Sequence, residues 1–440
     1  MPDFAPQGIF VAFFAILQAI VKWWWLWLPF VLYKPFVTMW IWWRREIWLS
    51  KQRFVILDVR VPADVEKSYM AMENVFTGIW QALHDPPDIP EKWLDGKFQL
   101  PIAVEIVSIA GEIHFYFAML QGVRKGVESA IYSQFPSAEF SEAEDYSRKI
   151  PFDIPNREWN LWGTNYRFQK SDVYPIKTFM KFFEPRPDAK EETKVDPMGL
   201  LLEGLSRLGE GEQLWIQYLL SPITPEDDYD YVALGRKEID RIVEERAKPK
   251  AAAGPRLPWF LTLFRDTIIQ IVTGQPPAEE EQKKEERVPA AFEFTPGVRE
   301  MTSAIEQKIG KYAFRSSVRF IYLAKIDNYF SPAKGFAMSY FTQFSTQTLN
   351  KLRPFKATLT KVNTITMRFL DKRRTYLVKR RLLRKYLRRE PPEGSAGHVL
   401  LNTEEMATLF HFPGRLTATT APLARVETKR GGAPPELPTE

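Results

Sequence analysis

An almost unbroken apolar stretch opens the chain between residues 8 and 43. Its few polar side chains are Gln18, Lys22, Lys34 and Thr38. A helix over the whole stretch, at ~1.5 Å per residue, would be far longer than the ~30 Å hydrocarbon layer of a bilayer. We therefore predict one transmembrane helix at about Gly8–Leu28, followed by an interfacial extension, within an anchor of residues 1–50. The alternatives are a hairpin that crosses twice, at the cost of placing Lys34 in the bilayer, and a hydrophobic hairpin buried in a soluble fold.

Tryptophan is concentrated in and after this stretch, where it would mark the membrane–water interface. Tryptophan is enriched at the headgroup level, and basic residues are retained on the cytoplasmic side of a membrane protein. The first basic pair, Arg44-Arg45, follows the stretch. This order predicts a single-pass cell-membrane protein with its N-terminus outside and its body in the cytoplasm. The predicted membrane-interface residues are Trp23, Trp24, Trp25, Trp27, Trp40, Trp42, Trp43, Arg44 and Arg45.

After Lys51 the pattern changes to short alternating runs that are typical of strands. Residues 51–150 contain four such runs and two amphipathic helices in the order βαββαβ. The second and third strands are separated by Ala110-Gly111, a tight hairpin signal. The predicted strands are "FVILDVRVP", "PIAVEIVSI", "EIHFYFAML" and "AEFSEAEDY". This order predicts a ferredoxin-like unit.

The same order is predicted to recur in residues 151–345, interrupted by an insertion at 224–289. The strands predicted for this second unit are "IKTFMKFF", "EQLWIQYLLSPI", "AAFEFT" and "RSSVRFIYLAKI". The insertion carries an apolar segment, "LPWFLTLFRDTIIQIVTG", that would be a membrane-surface or partner-docking helix or would pack on its own sheet. The predicted fold class is therefore α+β: a transmembrane helix followed by two ferredoxin-like units, the second with a helical insertion.

The densest charge in the chain lies within residues 346–395, in an amphipathic helix predicted at Arg368–Glu390. Such a helix can lie on anionic lipid, contact nucleic-acid phosphates without sequence preference, or pack on the body with a solvated basic face. We favour lipid, because each basic residue near an anionic surface contributes ~1 kcal/mol. The predicted anion-binding residues are Lys372, Arg373, Arg374, Lys379, Arg380, Arg381, Arg384, Lys385, Arg388 and Arg389.

The composition offers little for catalysis. The chain of 440 residues has a net charge of +6, no cysteine and four histidines without metal-ligand spacing. No phosphate-binding, nucleophile-elbow or zinc-protease motif occurs in the sequence. We therefore predict a protein that is not an enzyme and that binds no metal or cofactor.

The final segment, residues 396–440, contains a short helix and a proline-rich tail. Asn402 and Glu405 have the spacing of a capping box. With "GEQLWIQYLLSP" and "IEQKIGKYAFRSSVRFIYLAK", the block "LLNTEEMATLFHFPG" resembles the membrane-anchored N-terminal half of conjugation and type IV secretion ATPases of the HerA/FtsK type in candidate-phylum bacteria. The resemblance covers roughly residues 50–440.

In the longer members of that group a P-loop motor follows this segment, whereas the present sequence contains no phosphate-binding loop. The resemblance therefore implies no ATPase activity. It implies a membrane-anchored scaffold or adaptor of a secretion or DNA-transfer apparatus, and the alternative is a lipid- or nucleic-acid-binding tether acting through the basic helix. The partners expected are the inner leaflet of the membrane, a P-loop ATPase in another chain, non-specific nucleic acid and a second copy of this chain.

Overall fold

The structure is a computed structural model. It describes residue 18 and residues 21–62, 69–182, 196–224, 229–247, 296–363, 368–391 and 397–414. The described strands are β1 (Phe54–Arg60), β2 (Ile102–Ile109), β3 (Glu112–Leu120), β4 (Glu139–Glu142), β5 (Trp159–Phe168), β6 (Glu212–Ile223), β7 (Ala313–Lys325), β8 (Leu352–Pro354) and β9 (Val399–Asn402). The described helices are α1 (Trp24–Ser50), α2 (Tyr69–Leu83), α3 (Arg124–Gln134), α4 (Pro197–Ser206), α5 (Tyr231–Ala247), α6 (Pro296–Ile309), α7 (Lys334–Gln343), α8 (Asp371–Leu387) and α9 (Thr403–Leu409).

All nine strands form one antiparallel sheet in the order β4-β1-β3-β2-β6-β7-β5-β8, and β9 pairs with the start of β7. The first and second halves of the chain meet at β2 and β6, which pair from Ile102 opposite Leu220 to Ile109 opposite Gln213. The adjoining pair β6 and β7 is longer and brings Ile223 opposite Ala313.

The predicted fold class, with two ferredoxin-like units, is therefore wrong. β2 and β6 are buried along nearly their whole length. An edge strand with that composition would expose both apolar side chains and unpaired backbone groups. Pairing β2 with β6 removes both edges and produces one continuous sheet.

One face of the sheet carries an aromatic core beneath α2, α3, α4, α7 and α9. Phe410, which directly follows α9, packs edge-on against Phe115 at 5.8 Å and Phe117 at 5.5 Å between ring centroids. Edge-to-face pairs at this distance add to the free energy of apolar burial. The end of the described chain is thus part of the main core.

The opposite face is covered by α8. Its residues Leu382, Leu383 and Tyr386 are buried, and the Tyr386 ring lies 5.3 Å from the ring of Trp215. At Gly163 of β5 a Cβ atom would lie 2.9 Å from Leu382 Cδ2 and 2.6 Å from the carbonyl oxygen of Phe320. The glycine therefore allows α8 to approach the sheet closely.

The predicted transmembrane anchor is also wrong. No helix among the described residues combines the length and the apolar character needed to cross a membrane. α1 has 27 residues, but it is rich in tryptophan, whose indole N–H is polar, and it includes Lys34, Arg44 and Arg45. The single-pass topology and the cell-membrane localisation derived from it are corrected accordingly. Residues 8–20 of the predicted span, apart from residue 18, lie outside the described residues.

Several predictions for the second half of the chain also change. "IKTFMKFF" contains a 3-10 turn at Phe179–Lys181 rather than a strand, and the first strand of this half is β5, which we did not predict. "AAFEFT" and the apolar segment of the insertion lie outside the described residues.

A candidate anion-binding cavity between α1 and α8

A row of polar side chains crosses the sheet beneath the C-terminal end of α8. Its members lie directly opposite one another in adjacent strands. Because side chains alternate between the two faces of a strand, this register places all of them on the α8 face. In strand order they are Asp58, Tyr116, Glu105, Gln217, Arg319 and Asn165, and all are buried. We call these six residues the polar row.

Glu105 is the centre of the hydrogen bonds in the polar row. Its carboxylate accepts from Gln217 Nε2 at 2.5 Å, from Arg389 Nε at 3.0 Å and from the Tyr146 hydroxyl at 3.0 Å. Arg389 also donates to Asp145 Oδ2 at 3.1 Å. Each buried charge in this group therefore has a charged or polar partner, which offsets the cost of its desolvation.

The two arginines respond differently to burial. Burial lowers the pKa of Arg319 to about 10, because its nearest direct partners are the neutral Gln217 side chain and the backbone carbonyl of Glu390. Burial also acts to lower the pKa of Arg389, but the negative charges of Glu105 and Asp145 outweigh it and hold the pKa above its ordinary value. Both guanidinium groups are therefore charged at neutral pH.

A cavity of about 1140 Å³ lies beside the polar row. Its lining comes from the C-terminal half of α1, the segment 86–101, the sheet and the residues 388–391 that directly follow α8. The cationic side chains in its lining are Arg45, Lys92, Lys97, Arg315, Arg388 and Arg389, whereas the carboxylates are Glu46 and Glu390. The lining thus has an excess of positive charge.

Three of these cations are engaged with carboxylates. Lys97 pairs with Asp85 and Glu91, Arg389 with Glu105, and Arg388 with Glu390 at 3.4 Å. Among the described residues no carboxylate oxygen lies within 4 Å of the charged nitrogens of the other three, which are Arg45, Lys92 and Arg315.

Ser317 supplies a further donor to the cavity lining. It is 1% exposed, and its hydroxyl has no hydrogen-bond partner within the described part of the chain. A buried hydroxyl without a partner is unfavourable, so this atom is available to a bound group. Arginine guanidinium groups and a free hydroxyl together form a donor set that suits an oxyanion. The described residues contain no group of three side chains that could hold a metal ion.

The predicted membrane-interface residues fall into two sets along α1. Trp23, Trp24 and Trp25 are exposed, and the side chain of Trp27 is not described. Trp40 donates through Nε1 to the carbonyl oxygen of Trp93 at 2.9 Å. The remaining members lie near this junction: Trp42 and Arg45 line the cavity, and the Arg44 guanidinium lies 5.9 Å from the Trp43 ring.

The predicted anion-binding residues of α8 and of the residues directly after it also fall into two sets, one exposed and one half-buried. Lys372, Arg373, Arg381, Arg384 and Arg388 are exposed. The other five are half-buried, and all have contacts: Lys379 with Asn160, Arg380 with Tyr376, Arg374 with Asp371, and Arg389 with Glu105, while Lys385 also makes a polar or electrostatic contact. Arg389 is therefore an internal ion-pair residue rather than part of the basic surface.

Sequence reasoning missed Glu105, Gln217, Arg319 and Ser317. The available signal was a polar residue inside an otherwise apolar strand, as in "AVEIV", "LWIQYLL" and "SSVRFIY". Such a residue must find a buried partner, because an unpaired buried charge is costly.

The model of one protein family, described as "Domain of unknown function (DUF8128)", matches residues 56–422. This match includes the whole sheet apart from the first two residues of β1, the cavity lining of the sheet apart from Phe54, and all of α8. A search of curated proteins gives no match.

Proposed function

The chain belongs to the DUF8128 family, a domain of unknown function, and we propose from its surfaces that it is a non-catalytic scaffold that attaches to an anionic lipid surface through α1 and α8. The attachment is peripheral: aromatic side chains enter the headgroup region, and no crossing of the bilayer is involved. The observation that carries this proposal is the exposed apolar surface of α1.

The first half of α1 exposes large apolar side chains all round the helix. Trp24, Phe30 and Phe36 are 59%, 75% and 64% exposed and point in different directions at 100° per residue. The other exposed members are Trp25, Leu26, Leu28, Val31, Leu32, Tyr33 and Met39. An exposed apolar surface of this size marks an interaction site, and its aromatic side chains suit the headgroup region of a membrane. Exposed Lys22 and Lys34 can extend their ammonium groups to the lipid phosphates.

α8 supplies a basic surface close to this apolar one. Arg373, Leu377, Arg381, Arg384 and Arg388 are exposed and follow one side of the helix, at intervals of three or four residues. We call this side the arginine stripe. The second half of α1 and Arg388, the last member of the arginine stripe, line the same cavity, so the stripe ends near the helix that carries the apolar surface. Basic residues next to an apolar aromatic surface favour an anionic membrane over nucleic acid, which would leave the apolar residues exposed.

The resemblance to secretion ATPases supports a scaffold role and makes a P-loop ATPase in another chain the partner to look for. The absence of catalytic activity stays a prediction from the missing sequence motifs.

Co-sedimentation of the full chain with anionic and with neutral vesicles tests the proposal. Replacing Arg373, Arg381 and Arg384 by Gln should weaken binding to anionic vesicles about 100-fold, at ~1 kcal/mol per basic residue. The matched control replaces three exposed arginines elsewhere, Arg157, Arg236 and Arg299, by Gln and should retain much more of the binding.

A second variant tests α1. Replacing Trp24, Trp25 and Phe30 by Ser should weaken binding to both kinds of vesicle at least tenfold, because each aromatic ring contributes apolar surface. The control is Phe152→Ser, an aromatic residue that is 82% exposed outside α1. Absence of vesicle binding by the unmodified chain, or binding of duplex DNA in its place, would refute the proposal.

A further inference from the structure

We propose that the cavity between α1 and the end of α8 binds a phosphate group, held by Arg315 and Ser317 of β7. The inference rests on the proposed function only for the source of the phosphate, which is a lipid headgroup rather than a free metabolite.

The strand geometry places the two β7 residues together. Arg315, Ser317 and Arg319 are alternate residues of β7 and therefore lie on the same face of the sheet. Arg319 is used within the polar row, where it donates to Gln217 and to the carbonyl oxygen of Glu390. Arg315 and Ser317 both line the cavity and face no carboxylate within 4 Å in the described part of the chain.

The buried hydroxyl of Ser317 would lack a hydrogen-bond partner from the described residues if the cavity were empty. It is buried and has no partner among the described residues, although serine hydroxyls in protein interiors are almost always hydrogen-bonded. The adjacent residue shows the contrast, because Ser316 on the opposite face donates through Oγ to the carbonyl oxygen of Phe314 at 3.3 Å. A phosphate oxygen in the cavity would accept from Ser317 and from the Arg315 guanidinium at once.

The cavity, at about 1140 Å³, is larger than a phosphate group alone requires. The lining also contains the apolar side chains Trp42, Leu49 and Phe98, and the Arg45 guanidinium lies 5.1 Å from the Phe98 ring. An apolar wall beside a cationic one suits an amphiphile whose phosphate meets the arginines and whose chain meets the aromatic residues. Glu46 and Glu390 also line the cavity, and their negative charges would repel an anion, but the cations of the lining outnumber them.

Calorimetric titration of the full chain without vesicles tests this inference, with glycerol 3-phosphate and monomeric lysophosphatidic acid as probes. Ser317→Ala and Arg315→Gln should each weaken the binding of both probes about tenfold, as expected for loss of one charge-assisted hydrogen bond. Ser316→Ala is the matched control, because its hydroxyl faces the other side of the sheet, and it should leave both affinities unchanged. Thermal unfolding of each variant shows that the fold is retained.

The relative affinities of the two probes show whether the bound phosphate belongs to a lipid or to a soluble metabolite. Tighter binding of lysophosphatidic acid by tenfold or more identifies a lipid, whereas equal affinities identify a soluble phosphorylated metabolite and keep the phosphate site. The variant with Gln at Arg373, Arg381 and Arg384 should bind both probes normally, so a failure of vesicle attachment leaves this result interpretable. If neither probe binds, or if Arg315→Gln and Ser317→Ala bind as well as the unmodified chain, the inference is wrong.

Discussion

The ammonium group of Lys308 lies 3.0 Å from Oε2 of Glu405, and both side chains are almost completely buried. Glu405 also accepts hydrogen bonds from the backbone N–H groups of Ile176 at 2.9 Å and Asn402 at 3.0 Å. The latter bond belongs to the capping box that begins α9. One carboxylate therefore connects α6, α9 and the extended segment around Ile176.

Glu405→Ala should lower the free energy of unfolding by about 3–5 kcal/mol, because it leaves the buried Lys308 charge unpaired. Lys308→Ala should have a similar effect. The double variant should lose less free energy of unfolding than the sum of the two single variants, since it leaves no buried charge without a partner. Urea unfolding followed by circular dichroism measures all three, and additive losses would contradict a direct coupling. Glu300→Ala, which breaks the exposed Lys181–Glu300 pair, should change stability by less than ~1 kcal/mol.

Glu105→Ala should destabilise the polar row by about 3–5 kcal/mol, since it removes the acceptor for Gln217, Tyr146 and Arg389. Glu105→Gln keeps an acceptor oxygen and should cost less than Ala. Glu203→Ala removes an exposed pair with Arg207 and should cost less than ~1 kcal/mol. Equal urea midpoints for Glu105→Ala and Glu203→Ala would show that the polar row contributes no more than a surface ion pair.

Gly163→Ala should displace α8 from the sheet, because the added Cβ would collide with the Phe320 carbonyl oxygen and with Leu382. Overpacking of this kind costs about 1–3 kcal/mol. Limited digestion with trypsin provides the readout, since an α8 released from the sheet would unfold more readily and its backbone would become a substrate at its many arginines. At Gly335 of α7 a Cβ atom meets nothing within 4 Å, so Gly335→Ala should increase stability by about 0.4–1 kcal/mol and leave the digestion pattern unchanged.

Asp145, which pairs with Arg389 beside the polar row, should make the free energy of unfolding depend on pH. Burial acts to raise its pKa, but the Arg389 charge and the hydrogen bonds from Ser147 outweigh burial and hold the pKa below its ordinary value. A depressed carboxyl pKa adds stability above the unfolded-state pKa of ~3.9, and this stability is lost as the pH falls through the folded-state pKa.

The difference in free energy of unfolding between the unmodified chain and Asp145→Asn should therefore be largest near neutral pH and shrink below about pH 4. Asp327→Asn, at an exposed position, should give a small difference at every pH. A difference for Asp145→Asn that stays constant down to pH 2 would contradict the role assigned to Arg389. Urea titrations at several pH values provide the measurement.

Local patterns in the sequence predicted the first half of the sheet well. The alternation around Leu57 identified β1, and Ala110-Gly111 identified the β2–β3 hairpin, where both residues have positive φ angles of 51° and 89°. These features depend on neighbouring residues, so a single sequence contains the information for them. The capping box at Asn402 and Glu405 is confirmed for the same reason.

Long-range pairings explain what the sequence did not reveal. The segment "IKTFMKFF" has the alternation of a strand, but two of its backbone N–H groups, those of Ile176 and Phe179, donate to the side chains of Glu405 and Thr408. Arg389 had the spacing of a surface arginine, yet its partner Glu105 lies 284 residues away. A helical pattern shows which residues share a side of the helix, and tertiary contacts decide which of them meet solvent.

The pairing of Ile223 with Ala313 has a consequence for how this chain can vary in length. The antiparallel ladder between β6 and β7 holds both ends of residues 224–312 next to each other. The entropy lost in closing a loop grows only with the logarithm of its length, by about 0.6 kcal/mol for each doubling. Residues can therefore be added or removed between these two strands at little thermodynamic cost, provided that the packing of α5 and α6 is preserved. A fluorescent domain inserted there should leave the sheet folded, which makes this segment a practical site for a reporter.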